Sequence, residues 1–127
     1  MTTAPLHRRL TEVAPRHERD NDLVLRGLLE VDDTEADLSI TWVQLAGHHR
    51  RLRTDASTRV YVIVSGAGSI TVDADVREVG AGDVVVIPRR TPYHLDGTLT
   101  YLVLNQPGFR EGDDHYLEEH SVPETSD

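Results

Sequence analysis

Val60-Tyr61-Val62-Ile63-Val64-Ser65-Gly66-Ala67-Gly68, continuing into Ser69-Ile70-Thr71-Val72-Asp73, sets the architecture of this chain. β-Branched and aromatic residues crowd the first run, and the glycine pair reads as a tight turn into a second strand. Working outward, Leu38–Ala46, Asp83–Pro88 and Leu99–Asn105 have the same character. Gly80-Ala81-Gly82 and Asp96-Gly97 punctuate them. Short strands with regular glycine breaks and no helical period between them predict an all-β antiparallel sandwich or barrel. Leu23–Val31 is apolar but interrupted by Gly27, which fits a strand with a bulge. The first twenty residues read as an arm or one edge strand, and a helical turn is expected near His115–Glu119.

The flanks differ from the centre. Residues 1–37 hold nine acids and five arginines, residues 110–127 seven acids and one arginine, and residues 38–109 six acids and seven arginines. The chain therefore divides into an N-terminal arm with edge strands (1–37), a barrel core (38–109) and an acidic tail (110–127). Acidic ends of this kind usually form a solvated surface. At 127 residues a single core is expected. The net charge of −9 disfavours nucleic acid or an anionic membrane as partner. With no signal-like apolar N-terminus and no stretch of membrane-spanning length, the cytoplasm is the expected compartment. All 13 basic residues are arginine and there is no cysteine. That excludes disulfides, thiol nucleophiles and lysine Schiff bases.

Gly82-Asp83-Val84-Val85-Val86-Ile87-Pro88, fourteen residues beyond Gly68, repeats the strand-and-turn idea, and Thr91-Pro92-Tyr93-His94 follows. In order and spacing, residues 40–108 resemble the two motif regions of small single-domain cupins. The resemblance implies a double-stranded β-helix, the cupin jelly roll, with a ligand cavity between its sheets and commonly a homodimer. It also implies metal ligands at set positions, and here those positions carry Leu52, Thr54, Arg59 and Tyr93. A guanidinium has only donors and keeps its charge, so it cannot ligate a divalent ion. The chain is thus closest to cupins that lack the usual metal ligands, and no cofactor is expected. The alternative is a metal-dependent, dioxygenase-type cupin holding a divalent ion through His48 or His49 with His94.

Arg59 shares a face with Tyr61 and Ile63 by strand alternation, and the resemblance turns that face to the cavity. A buried arginine requires an anion or several acceptors. Asp55 or Asp73 could satisfy it internally, or a ligand's carboxylate, phosphate or enolate could do so. Tyr93 and His94 are the expected proton carriers. Tyr61, Tyr101, Trp42, Arg51 and Arg53 are expected to contact the substrate, with Arg89 and Arg90 adding a positive rim. His48 and His49 are adjacent and point to opposite faces, and solvent-side positions at a strand edge are expected for them. The expected function is binding of a small anionic or carbonyl-bearing metabolite. If the chain catalyses a reaction, these side chains suit proton transfer: isomerisation, epimerisation, dehydration or cyclisation. By analogy with the family this would serve a specialised-metabolite or sugar pathway. A non-catalytic binding or sensing module would use the same cavity.

Overall fold

The computed structural model describes residues 5–118. Eight strands form one continuous antiparallel sheet that closes on a common core: β1 (Arg16–Glu18), β2 (Leu23–Leu29), β3 (Ser39–Thr54), β4 (Thr58–Val72), β5 (Asp75–Gly80), β6 (Val84–Ile87), β7 (Tyr93–Gln106) and β8 (Asp114–Tyr116). The spatial order is β1-β2-β3-β7-β4-β5, with β6 added to β4 and β8 to β3. This is an all-β jelly roll. The predicted bulge in β2 is present as a register shift between Gly27 and Leu29. The helical turn expected near His115 is instead the strand β8, and Glu119 lies outside the described residues. Among the described residues no helix is long and apolar enough to cross a membrane.

Two glycine motifs read as turns do a different job. β4 runs unbroken through Gly66-Ala67-Gly68, and β7 runs unbroken through Asp96-Gly97. In register, Gly47 of β3 faces Gly97 of β7, which faces Gly68 of β4. A side chain on Gly97 would meet the Ala67 carbonyl oxygen and Gly68 Cα at 2.6 Å, and its φ of +128° lies where glycine is favoured. The row lets three long strands approach and bend along one line, which turns a wide sheet into a barrel.

Alternation fills the interior with Leu23 and Leu25 of β2, Val43 and Leu45 of β3, Tyr61 and Ile63 of β4, and Tyr93, Leu95, Leu99 and Tyr101 of β7. Both flanking segments pair directly with β3, β2 along one edge and β8 at its far end. The opposite face of the sheet carries a second apolar set. Val60 and Val62 stand beside Val86 and Val84 on one side and Leu104 and Leu102 on the other. Val84 and Val86 are more than half exposed, at 59% and 55%.

Candidate functional site

A pocket of about 120 Å³ opens inside the barrel. His49, Arg59, Tyr61, Tyr101, Asp114 and Glu18 supply its polar wall. Leu25, Val43, Val103 and Phe109 supply much of the apolar one.

Arg59 is buried and faces inward. Its Nε donates to Asn105 Oδ1 at 2.7 Å, one terminal nitrogen to the Tyr93 hydroxyl at 2.8 Å and the other to Asp114 Oδ1 at 2.8 Å. Burial works against the charge, but the Tyr93 hydroxyl and the Asp114 carboxylate hold the guanidinium's proton more firmly than usual. The internal carboxylate is therefore neither Asp55 nor Asp73. Asp55 pairs with Arg53 at 2.8 Å, and Asp73 sits in the β4–β5 turn, its carbonyl accepting from Arg51. Asp114, from the acidic C-terminal flank, provides it, so the cation already has its counter-ion.

Tyr93 stands behind the pocket wall. Its oxygen accepts from Arg59, and it lies 2.7 Å from the Tyr61 hydroxyl. If Tyr93 spends its proton on Tyr61, the Tyr61 proton is left for the pocket, with Arg59 polarising the chain from behind. Burial raises the pKa of both phenols, Tyr61 well above the ordinary range, which keeps them as donors. Tyr101 packs on Tyr61 with ring centroids 5.1 Å apart and lines the same pocket.

His49 belongs to this cluster, contrary to the solvent-side position expected of it; it is 7% exposed and lines the pocket. Its Nδ1–H donates to the Arg50 carbonyl at 2.9 Å, which in the neutral ring makes Nε2 the basic atom. Burial lowers its pKa, with the Arg59 charge adding to that. The neutral imidazole is favoured. Glu18 and Tyr116 close the wall beside it, held by one buried residue. Asn21 Nδ2 donates to Glu18 Oε1 at 3.0 Å and to the Tyr116 hydroxyl at 2.9 Å. Its Oδ1 accepts from both the Arg50 backbone N–H and Nε.

Several expected site residues lie elsewhere. His94 alternates outward from Tyr93; its Nε2 is 3.5 Å from Asp96, and its ring centroid is 5.5 Å from that of His48. Arg51 binds the Asp73 carbonyl and Arg53 binds Asp55, both on the outer side, because a bulge between His49 and Leu52 keeps Leu52 inward. Trp42 also faces outward, with the Arg26 guanidinium 5.5 Å from its ring centre. Arg89 and Arg90 are exposed in the turn after Pro88. None of these lines the pocket. Of the expected set, the structure brings together Arg59, Tyr61 and Tyr101, with Tyr93 in support. His49 was within reach of the sequence: continuing the phase of Val43 and Leu45 by two residues each time arrives at it.

Direction removes His49 from the metal alternative, for it points into the barrel, whereas His48 and His94 point out with ring centroids 5.5 Å apart. His48 there binds Asp96 at 2.6 Å and Glu118 at 3.0 Å. Among the described residues no group of three or more histidine, aspartate or glutamate side chains is placed to hold a metal ion. The side chains present do not fit a cupin metal centre.

No family model and no curated protein matches this sequence. Solved structures do match it. Pac13 from Streptomyces, described as a nucleoside dehydratase, superposes with a TM-score of 0.80 at 20% identity, covering 93% of this chain and 95% of its own. The polyketide cyclase RemF of Streptomyces resistomycificus gives 0.76 at 16% identity, covering 93% and 89%. Oxalate decarboxylase of Bacillus subtilis gives 0.72 at 18% identity, the match covering 85% of this chain and 31% of the larger enzyme. At such identities the likeness concerns the fold, and the chain has the cupin-like β-barrel fold.

Proposed function

We propose that this protein is a metal-independent dehydratase or cyclase acting by proton transfer on an uncharged, carbonyl-bearing metabolite, working as a cytoplasmic homodimer. The observation that carries this reading is the His49 ring, with Nδ1 committed to a backbone carbonyl and Nε2 left as a base on the wall of a pocket lined by Tyr61. A β-hydroxy carbonyl compound suits that arrangement. His49 Nε2 takes the proton α to the carbonyl, and the electron pair moves onto the carbonyl oxygen. Tyr61, backed by Tyr93 and Arg59, donates to that oxygen. The imidazolium, stabilised by Glu18 and Asp114, returns its proton to the β-hydroxyl. The C–O bond breaks, the double bond forms and water leaves. A cyclase would share the first step and let the enolate attack a second carbonyl. The Arg59–Asp114 pair favours a neutral ligand over an anionic one, since the guanidinium already faces a carboxylate. The descriptions of Pac13 as a dehydratase and RemF as a cyclase support the same chemistry, and Pac13 structures that contain uridine make uridine the first ligand to try.

The test is exchange of the α-proton of simple β-hydroxy aldehydes and ketones in D₂O, followed by NMR, alongside calorimetric titration with uridine. His49→Gln should slow exchange at least ~100-fold, within the range of general-base contributions. Exchange by His49→Gln at the wild-type rate would dismiss the assignment. For the homodimer, the support is the outward apolar face of β4, β6 and β7, where Val84 and Val86 are more than half exposed beside Val60, Val62, Leu102 and Leu104. Val86→Glu should convert the dimer to a monomer in light scattering.

A further inference from the structure

A pocket of about 120 Å³ is smaller than the roughly 300 Å³ at which ligand sites usually begin. It holds about one small ring, so a metabolite of ordinary size is enclosed in full only if a wall moves. Most walls are poor candidates. β3, β7 and β4 are hydrogen-bonded to neighbours along nearly their whole lengths. The short edge strands differ: β1 has three pairs to β2, and β8 has three pairs to β3, Asp114 to Tyr116, with no strand among the described residues on the other edge of β8. β8 also places Asp114 and Tyr116 on the pocket wall.

The attachments of this segment are polar and local. Asp114 meets Arg59 at 2.8 Å, the Tyr116 hydroxyl accepts from Asn21, and the Arg50 guanidinium lies 3.8 Å from the Tyr116 ring centre. Beyond the strand, Leu117 N–H donates to the Arg51 carbonyl at 2.8 Å, and Glu118 accepts from the Arg51 N–H and from His48. Apolar anchorage rests on the Tyr116 ring, which stacks on His49 with centroids 6.2 Å apart, while Tyr116 and Leu117 are 38% and 43% exposed. Just before the strand, Arg110 and Asp113 close a turn on each other. Gly112 follows a φ of +96° there, with open space around its Cβ position. The Asp114–Arg59 pair is the main buried contact that opening must break, and a glycine turn supplies a pivot.

We propose that β8 is a gate: the segment from Gly112 to Glu118 swings off β3 to admit the ligand, then closes over it by restoring the Asp114–Arg59 pair. The proposal rests on the reading of this pocket as the ligand site. Its test requires no turnover, so failure of the gate and failure of the proton-transfer chemistry are separable.

The chain has no cysteine, so one engineered pair gives a single disulfide. Arg53 and His115 face each other in register and are both outside the pocket. Opposed residues on antiparallel strands stand within disulfide reach. In Arg53→Cys/His115→Cys, oxidation should lock β8 shut and reduction should free it. Diethyl pyrocarbonate, which acylates neutral imidazoles, is the probe, read by peptide mass spectrometry. His49 should react at least tenfold more slowly in the oxidised than in the reduced protein, while the exposed His7 and His17 react alike in both. Equal rates at His49, including no reaction in either form, would overturn the gate. In the unmodified protein, hydrogen exchange at Tyr116 and Leu117 should run at least tenfold faster than in the paired centres of β3 and β7. Exchange in step with those strands would overturn it independently.

Discussion

The cluster around His49 and the cluster around His48 use the same side-chain types on the two sides of one strand. Inside, His49 is buried with one backbone acceptor, and the nearby carboxylate Asp114 is already matched by Arg59. Outside, His48 sits between Asp96 and Glu118, a third of its side chain in solvent. Burial favours the neutral ring in the first case. In the second, burial opposes the charge too, but the hydrogen bonds to Asp96 and Glu118 outweigh it and raise the pKa. Two residues adjacent in sequence thus shift in opposite directions, His49 towards the neutral ring and His48 towards the protonated one. Their surroundings set the directions.

If this contrast is correct, its inner half should be costly to disturb. Arg59→Met leaves Asp114 without its partner, and breaking a buried pair from one side typically costs 3–5 kcal/mol. Asp114 keeps 20% of its side chain in solvent, so the loss should lie near the low end, about 3 kcal/mol in urea denaturation. The double variant Arg59→Met/Asp114→Asn should recover part of it. A loss below about 1 kcal/mol would mean that the pair behaves as a surface ion pair and the contrast fails. Tyr93→Phe comes next. It removes a buried hydroxyl that accepts from Arg59 and meets Tyr61, and should cost about 2 kcal/mol. It should also weaken the Tyr61 donor without changing the pocket's shape.

Much of the barrel was legible in the sequence because alternation and β-branched composition are local signals. The glycine row was harder. Gly66-Ala67-Gly68 and Asp96-Gly97 have the composition of hairpin turns, and what makes them bends is their alignment with Gly47 across three strands, which is non-local. At the site, alternation along β4 places Arg59 and Tyr61 on one face, and that face is the pocket wall, which Tyr101 joins from β7. The phase of β3 was the difficulty: Trp42 drew attention to the outward set, although Val43 and Leu45 lead through Gly47 to His49. The bulge after His49 then moved Arg51 and Arg53 off the inward face. Glu18, Asn21 and Asp114 had no local signature. An aspartate in an acidic flank looks like any solvated charge until the strand carrying it closes against Arg59.

The smallest expected effect tests the outer half of the contrast and depends on pH. The folded-state pKa of His48 is raised above 6.5, so the folded protein holds this proton more tightly than the unfolded chain. The stabilisation is complete below pH 6.5 and disappears as pH rises through the folded value. His49 has the reverse sign. Its folded pKa is lowered, so it costs nothing above pH 6.5 and destabilises the fold as pH falls below that value. His48→Gln should therefore cost about 0.5 kcal/mol at pH 6, the scale of a partly exposed ion pair, and less as pH rises. His49→Gln should flatten the acid side of the stability profile instead. Titration of the two imidazoles by NMR provides the direct check, with His48 expected above 6.5 and His49 below. The opposite order would mean that Asp96 and Glu118 do not hold the His48 proton and that burial does not favour the neutral ring at His49.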